Sequence, residues 1–203
     1  MEMQRAELLK RLVGAAQAVT KAEKELTEID SHFGDADHGI TMSKIAAAFR
    51  EAAEASSGGI QEMLDDAATA VMKVNGGSAV PLWFSWLDGL QEEAPQGDSV
   101  SAEQLKAMFK NALESLEAMT KARVGDKTMM DALIPATEAL LAAEGDCAQL
   151  LKAAATAAAQ GAENSRNFVS KFGRARSYGE ATLGTPDAGA VSMAHFFKGL
   201  AGA

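Results

Sequence analysis

Apolar residues recur at three- and four-residue intervals along most of the chain, the spacing of helices that bury one face. In the first segment Leu8, Leu9, Leu12, Val13, Ala16, Val19, Ala22, Leu26 and Ile29 share a side, which predicts one long helix ending near Asp30. A second helix follows the run SHFGDADHG, with Ile45, Ala48, Phe49 and Ala52 inward, and SSGG ends it. A third carries Met63, Leu64, Ala67, Ala68, Val71 and Met72 as far as Asn75-Gly76-Gly77-Ser78. The fourth opens around Ser78 with Pro81 in its first turn, where a missing N–H is tolerated. After the solvated linker QEEAPQGDS, Ser101 and Gln104 form a capping box for a fifth helix bearing Leu105, Met108, Phe109, Ala112, Leu113 and Leu116. VGDKT breaks the pattern before a sixth helix with Met129, Ala132, Leu133 and Leu140. An alanine-rich seventh runs roughly from Ala148 to Val169. The loop FGRARSYGEATLGTPDAG then leads to an eighth with Val191, Ala194, Phe197 and Leu200.

This pattern predicts an all-α, single-domain bundle of about eight amphipathic antiparallel helices over residues 1–203, with no sheet. The breaks at 30–41, 75–81, 124–128 and 173–189 are richer than plain turns. In an up-and-down bundle alternate loops share an end. These breaks follow the first, third, fifth and seventh helices, so they are expected at one rim as parts of a single site.

Composition narrows the function. The net charge of −9 argues against binding nucleic acid through the bulk surface, and it requires any anionic ligand to arrive with local cations. A single cysteine, Cys147, excludes an intrachain disulfide and points to a reducing compartment. The first residues lack the apolar stretch of a signal peptide, and no apolar run is long enough to span a membrane. A cytoplasmic protein with no membrane and no nucleic-acid partner is the expectation.

Asp35 and Asp37 are two apart in a glycine-bounded loop, and residues i and i+2 of an extended segment point the same way. Asp30, at the end of the preceding helix, is in reach. Clustered carboxylates repel, and a hard divalent cation such as magnesium relieves this with all-oxygen ligation. Turn and cap chemistry explains the same residues without a metal. Gly76-Gly77-Ser78 opens a helix, where backbone N–H groups and the helix dipole favour a phosphate, although taken alone it reads first as a glycine C-cap followed by a serine N-cap. Gly125-Asp126-Lys127-Thr128 is no Walker A motif, since Asp126 stands where a glycine is required; an Asp or Thr cap beside a solvated lysine is the plain reading. Arg174 and Arg176 in the last loop suit either phosphates or carboxylates. His195, among phenylalanines, reads as structural, Cys147 as a packed thiol, and His32 has no assignment.

In order and spacing these segments resemble the L subunit (DhaL) family of dihydroxyacetone kinases. The family's GDGDHGxxM corresponds to Gly34-Asp35-Ala36-Asp37-His38-Gly39-Ile40-Thr41-Met42, and its GGxSGPL to Gly76-Gly77-Ser78-Ala79-Val80-Pro81-Leu82. Its GDKTMxDALxP is present as Gly125 to Met129, Asp131-Ala132-Leu133 and Pro135, and its final GRA…DPGA element resembles Gly173-Arg174-Ala175 through Asp187-Ala188-Gly189-Ala190. The resemblance implies an eight-helix barrel with ADP or ATP at one end and two magnesium ions between the phosphates and Asp30, Asp35 and Asp37. It places His38, Gly39 and Thr41 beside the phosphates and nucleotide, with His38 joining the aspartates in support of phosphoryl transfer. It has Gly76, Gly77 and Ser78 cradle phosphate, and Met129, Arg174, Asp187 and Gly189 line the nucleotide pocket.

The implied activity is a kinase subunit passing phosphate to a ketose on a separate K subunit, which holds the sugar through a histidine this chain lacks. A phosphotransferase-system phosphocarrier is the implied partner if ADP stays bound as a coenzyme; free exchange of ATP is the other version. Ile40-Thr41 replaces the usual Thr-Asn, Ala79-Val80 replaces Ser-Gly, and Arg176-Ser177-Tyr178-Gly179 departs from Ser-Tyr-Leu-Gly. These departures set tetruloses and other short ketoses beside dihydroxyacetone as substrates. A nucleotide-bound regulatory subunit that binds a transcription factor is the competing class.

Overall fold

The computed structural model describes residues 2–202, so Met1 and Ala203 of the expected 1–203 span lie outside the described residues. Its helices are α1 (Arg5–Lys21), α2 (Glu23–Ser31), α3 (His38–Ala55), α4 (Ile60–Met72), α5 (Ala79–Glu92), α6 (Ala102–Met119), α7 (Met130–Ala142), α8 (Cys147–Asn164) and α9 (Ala188–Leu200). Two 3-10 segments, Ser165–Asn167 and Arg174–Thr182, lie between α8 and α9. The all-α expectation holds. The strand pairing among the described residues is two residues long, β1 (Met3–Gln4) antiparallel to β2 (Ser99–Val100). It was not anticipated, because so short a pair has no periodicity of its own.

Each helix buries its apolar stripe against the next. α1 packs on α3, and the succession continues through α8 to α9, which returns to α1 and closes a ring. At that closing seam Gly14 and Gly199 face each other, and a Cβ on either would press on the other's backbone. Two glycines thus let α1 and α9 approach at main-chain distance. Trp86, fully buried, lies at the centre and meets Trp83, Phe109, Phe196 and Phe197 with ring centroids 5.3–6.1 Å apart. Most of these pairs are edge-to-face, the geometry aromatic quadrupoles favour.

The predicted first helix is broken in two at Ala22, whose N–H is shared between the carbonyls of Ala18 (3.2 Å) and Val19 (3.1 Å). The break seats α2 against the first turn of α3, where a side chain at Gly39 would collide with the Glu23 carbonyl and Thr27. α8 stops at Asn164 rather than near Val169, because Ser165 Oγ donates back to the Ala162 carbonyl at 2.6 Å and the chain tightens into a 3-10 turn. Met72, placed on the buried face of the third helix, is instead exposed at its end.

The end of the ring away from the rich loops is closed by hydrogen bonds within helix caps and between distant turns. Ser101–Gln104 forms the anticipated reciprocal capping box, and Asp146–Gln149 forms another. The Arg5 guanidinium donates to the carbonyls of Ser56 and Gly58, each at 2.7 Å. Cys147 is buried there, its thiol pushed up by desolvation and directed at the Val100 carbonyl, as expected of a packed thiol.

Candidate functional site

All four rich breaks meet at one end of the ring around a cavity of about 330 Å³. The alternation of up and down helices therefore does what the sequence spacing predicted. The wall combines Asp30, Asp35 and Asp37 with Gly77 and Ser78, the Lys127–Met129 corner, Arg174, and the segment Thr185–Gly189.

The three aspartates converge: each offers a carboxylate oxygen within 4.8 Å of the others. Asp30 ends α2, and its carboxylate accepts from the N–H groups of Asp37 (3.1 Å) and His38 (3.3 Å), which folds the 32–37 loop back on the helix. Gly34 permits this, since a Cβ there would overlap the Asp30 carboxylate. Ala36 bridges Asp35 and Asp37 at φ +59°, a left-handed turn that rarely accommodates a side chain. Asp35 receives the Arg174 guanidinium at 2.7 Å, and Phe33 meets Tyr178 with centroids 5.2 Å apart. The first and last loops are thus fastened to each other across the cavity mouth. Three mutually repelling carboxylates in an oxygen-only cluster are a donor set that fits a hard divalent cation.

His38 lies at the start of α3 behind the cluster, with Nε2 2.8 Å from Ser192 Oγ. Ser192 Oγ spends its own proton on the Ala188 carbonyl at 2.8 Å. The hydroxyl must therefore accept from His38, which assigns the ring proton to Nε2 and leaves Nδ1 with a lone pair. Burial holds the imidazole below its usual pKa, opposed by the charges of Asp30 and Asp37, so it is neutral at pH 7. Ser192 belongs to this unit and carries no motif; only its one-turn spacing from Ala188 hints at it.

Ser78 precedes α5 but makes no side-chain cap bond, so the serine N-cap alternative is absent and the residue lines the cavity. A side chain at Gly77 would meet open space, whereas one at Gly76 would press on Thr41 and Val80 at 2.8–2.9 Å. Gly77, Ser78 and Thr41 line the cavity; Gly76 and Gly39 shape the backbone behind its wall instead.

The third loop contradicts the solvated-lysine reading. Lys127 is only 5% exposed and bonds to the Ser165 and Thr185 carbonyls. The capping role falls to Asp131, not to Asp126 or Thr128 alone: it is buried and accepts from the N–H groups of Gly125 and Thr128 at 2.6 Å each. Desolvation raises its carboxyl pKa, partly offset by those bonds. Met129 is packed into the adjoining wall. Asp187 caps α9 by accepting from Ala190 N–H at 2.8 Å. Enclosure by the protein pushes its carboxyl up to about 7, the Ala190 bond opposing and the negative charge of Asp131 adding. Gly189 sits beside it, where a Cβ would come within 3.0 Å of the Asp187 carboxylate and 3.3 Å of Met129 N.

Other singled-out residues lie elsewhere. His195 is on the outer surface, paired with Glu25 at 2.8 Å rather than packed among phenylalanines, and His32 bonds to the carbonyls of Glu28 and Ile29. Arg176 is exposed outside the cavity wall. The exposed large apolar residues Ile40, Met72, Met119, Val124, Phe172, Tyr178 and Leu183 all sit on or beside the four rim breaks.

A DAK2 domain model matches residues 32–202. The chain is 36% identical over 185 residues to a D-erythrulose kinase of Mycolicibacterium smegmatis, covering 88% of this chain and 32% of that protein. It is 38% identical over 181 residues to an L-erythrulose kinase of Pectobacterium atrosepticum, covering 84% and 30%. Against the ADP-binding subunit DhaL of the PEP-dependent dihydroxyacetone kinase of Escherichia coli, identity is 27% over 208 residues, with 99% and 98% covered. The dihydroxyacetone kinase of C. freundii, solved with AMP-PNP and Mg2+, superposes with a TM-score of 0.75 at 25% identity, over 100% of this chain and 34% of that one. This chain belongs to the DAK2 domain family and has the DhaL-type fold of dihydroxyacetone kinases. It spans about a third of the length of the erythrulose kinases it matches.

Proposed function

We propose that this chain binds ADP or ATP with magnesium and serves as the phosphoryl-donating subunit of a kinase for dihydroxyacetone or a related short ketose. The observation that carries this reading is the facing pair of features in one cavity: three converging carboxylates on one side and the uncapped Gly77–Ser78 helix start on the other. The carboxylates would hold magnesium, two ions by the resemblance, while the helix start receives phosphate at its N–H groups. Bound there, the metal offsets phosphate charge and the charge that develops as the phosphoryl group transfers. Met129, Asp187 and Gly189 form the wall for the rest of the nucleotide, and Arg174 is free to exchange Asp35 for a phosphate oxygen. Neutral His38 orients the α3 start without adding charge.

The sugar would be held by a separate K subunit. The apolar rim around the cavity supports docking of that partner, because a phosphoryl group has to pass directly between two sites. A phosphocarrier is a second partner in the version where ADP is rephosphorylated in place. Docking of the K subunit is expected to depend on Arg176 more than nucleotide binding does, and the whole span acts as one cytoplasmic domain.

The test is calorimetric titration of ADP and ATP with magnesium and with excess chelator, on wild type and Asp35→Ala. Magnesium-dependent affinity in the wild type, reduced at least tenfold in the variant, is expected. Equal affinity in chelator, or full magnesium-dependent affinity in the variant, would overturn the reading.

A further inference from the structure

The buried Lys127 is used by neither the metal cluster nor the phosphate cradle. Its Nζ donates to the Ser165 carbonyl at 2.7 Å and to the Thr185 carbonyl. Ser165 Oγ accepts from Asp187 N–H at 2.8 Å, and the Asp187 carboxylate caps Ala190 N–H at 2.8 Å. One ammonium therefore bears on the end of α8, the loop before α9, and the first turn of α9. The charged groups facing it are Asp187 and Asp131, which attract it, and Arg166, which repels it; burial lowers its pKa.

This is an expensive way to join three backbone segments. A buried cation loses hydration that neutral side chains would not forfeit. The residue also adopts φ +61°, in the left-handed region that penalises any side chain. Both costs fall at the cavity wall, where Thr185, Asp187 and Gly189 face the space a ligand would enter. Lys127 itself borders the cavity, but two of its three ammonium donors are committed to carbonyls and its charge is offset by Asp187 and Asp131, which directs the group to the wall.

We propose that Lys127 is a positioning residue for the nucleotide: acting through Ser165 and Thr185, it fixes the Thr185–Gly189 wall without itself touching the ligand. The proposal rests on the nucleotide reading of the cavity, and its consequence extends to the ligand-free protein. With the ammonium removed, the start of α9 loses its registration with α8, and the wall is no longer preorganised.

The experiment measures amide hydrogen exchange at Ala188, Gly189 and Ala190 without nucleotide, and magnesium-ADP affinity by calorimetry, for wild type, Lys127→Met and Ser165→Ala, below their melting temperatures. Lys127→Met is expected to exchange at least tenfold faster at those amides and to bind magnesium-ADP at least tenfold more weakly. Ser165→Ala keeps the lysine and the carbonyl it binds but removes the acceptor of Asp187 N–H; it is expected to shift both in the same direction by a smaller factor, and Lys127→Gln, which removes the charge, takes the place of Lys127→Met if the latter fails to fold. Unchanged exchange in the variants overturns the proposal. Weaker binding of Lys127→Met with unchanged exchange does so too, by making the lysine a direct ligand. If wild type binds no magnesium-ADP, the functional reading fails, while the ligand-free exchange comparison still decides the role of Lys127.

Discussion

The two ends of the helical ring are built on opposite rules. At the closed end two caps are reciprocal and local, Ser101 with Gln104 and Asp146 with Gln149, and Arg5 ties in two turn carbonyls 51 and 53 positions away. At the rim, Ser78 and Asp37 precede helices without capping them, and of the aspartates there only Asp187 caps the helix it precedes. Left-handed backbone falls on Ala36 and Lys127, and charged groups are buried or crowded together. The difference teaches where stability and chemistry reside. The closed end spends its polar groups on the fold, whereas the rim leaves helix N–H groups and carboxylates open to a ligand and relies on the aromatic core beneath for support.

Substitutions divide along the same line. The largest effect on the fold is expected from Trp86→Ala, which empties the centre of the aromatic cluster and should cost about 3–5 kcal/mol in chemical denaturation. Asp35→Ala at the rim should cost under about 0.5 kcal/mol by the same measurement while removing magnesium-dependent binding. Comparable losses of stability would erase the distinction. Gly34→Ala should act on the site without touching a carboxylate: its Cβ displaces Asp30, and magnesium affinity is expected to fall about tenfold in calorimetry.

The rim should also carry a pH signature. Asp187 binds its proton up to about 7 in the folded state, whereas the unfolded carboxyl releases it near its ordinary value. Folding therefore takes up a proton between those limits. The contribution of this group is stabilising at low pH, falls as pH rises from about 4 to about 7, and levels off above. Its slope is at most about 1.4 kcal/mol per pH unit. Subtracting the stability curve of Asp187→Asn from that of wild type should isolate this fall; a flat difference would place the carboxyl in a more hydrated setting. The smallest contrast sets two serines side by side. Ser101→Ala should cost about 1 kcal/mol through its lost cap, and Ser78→Ala less than about 0.5 kcal/mol, both read from denaturation midpoints.

How much of this was legible in the sequence depended on range. The Ser101–Gln104 box spans three residues, and its chemistry is complete within them. The aspartate cluster was readable because its members lie within one short loop, although a left-handed turn at Ala36, not an extended segment, brings Asp35 and Asp37 together. The gathering of four loops at one rim followed from parity of helix count, a rule that tolerates errors in helix ends. Lys127 was misread because its acceptors at Ser165 and Thr185 are 38 and 58 positions away, so nothing local marks it as buried. The break at Ala22 also escaped notice, since neither glycine nor proline announces it. It comes from the approach of α3, which only the folded ring supplies. Gly39 and Gly76, read as ligand contacts, also make room inside the fold, Gly39 for the Glu23 carbonyl and Thr27, and Gly76 for the Thr41 and Val80 side chains.

The seam at Gly14 and Gly199 has a consequence for the order of assembly. α1 and α9 meet only when the ring is complete, and the loop they close is nearly the whole chain long, so its entropic cost is met last and repaid by few local contacts beforehand. The rim draws on the same two extremes, Asp30 from beyond α1 and Asp187 from the start of α9. During synthesis a chain without α9 in place holds its carboxylates and the Gly77–Ser78 helix start but lacks the Thr185–Gly189 wall. The cavity is therefore completed in the same step that shuts the ring.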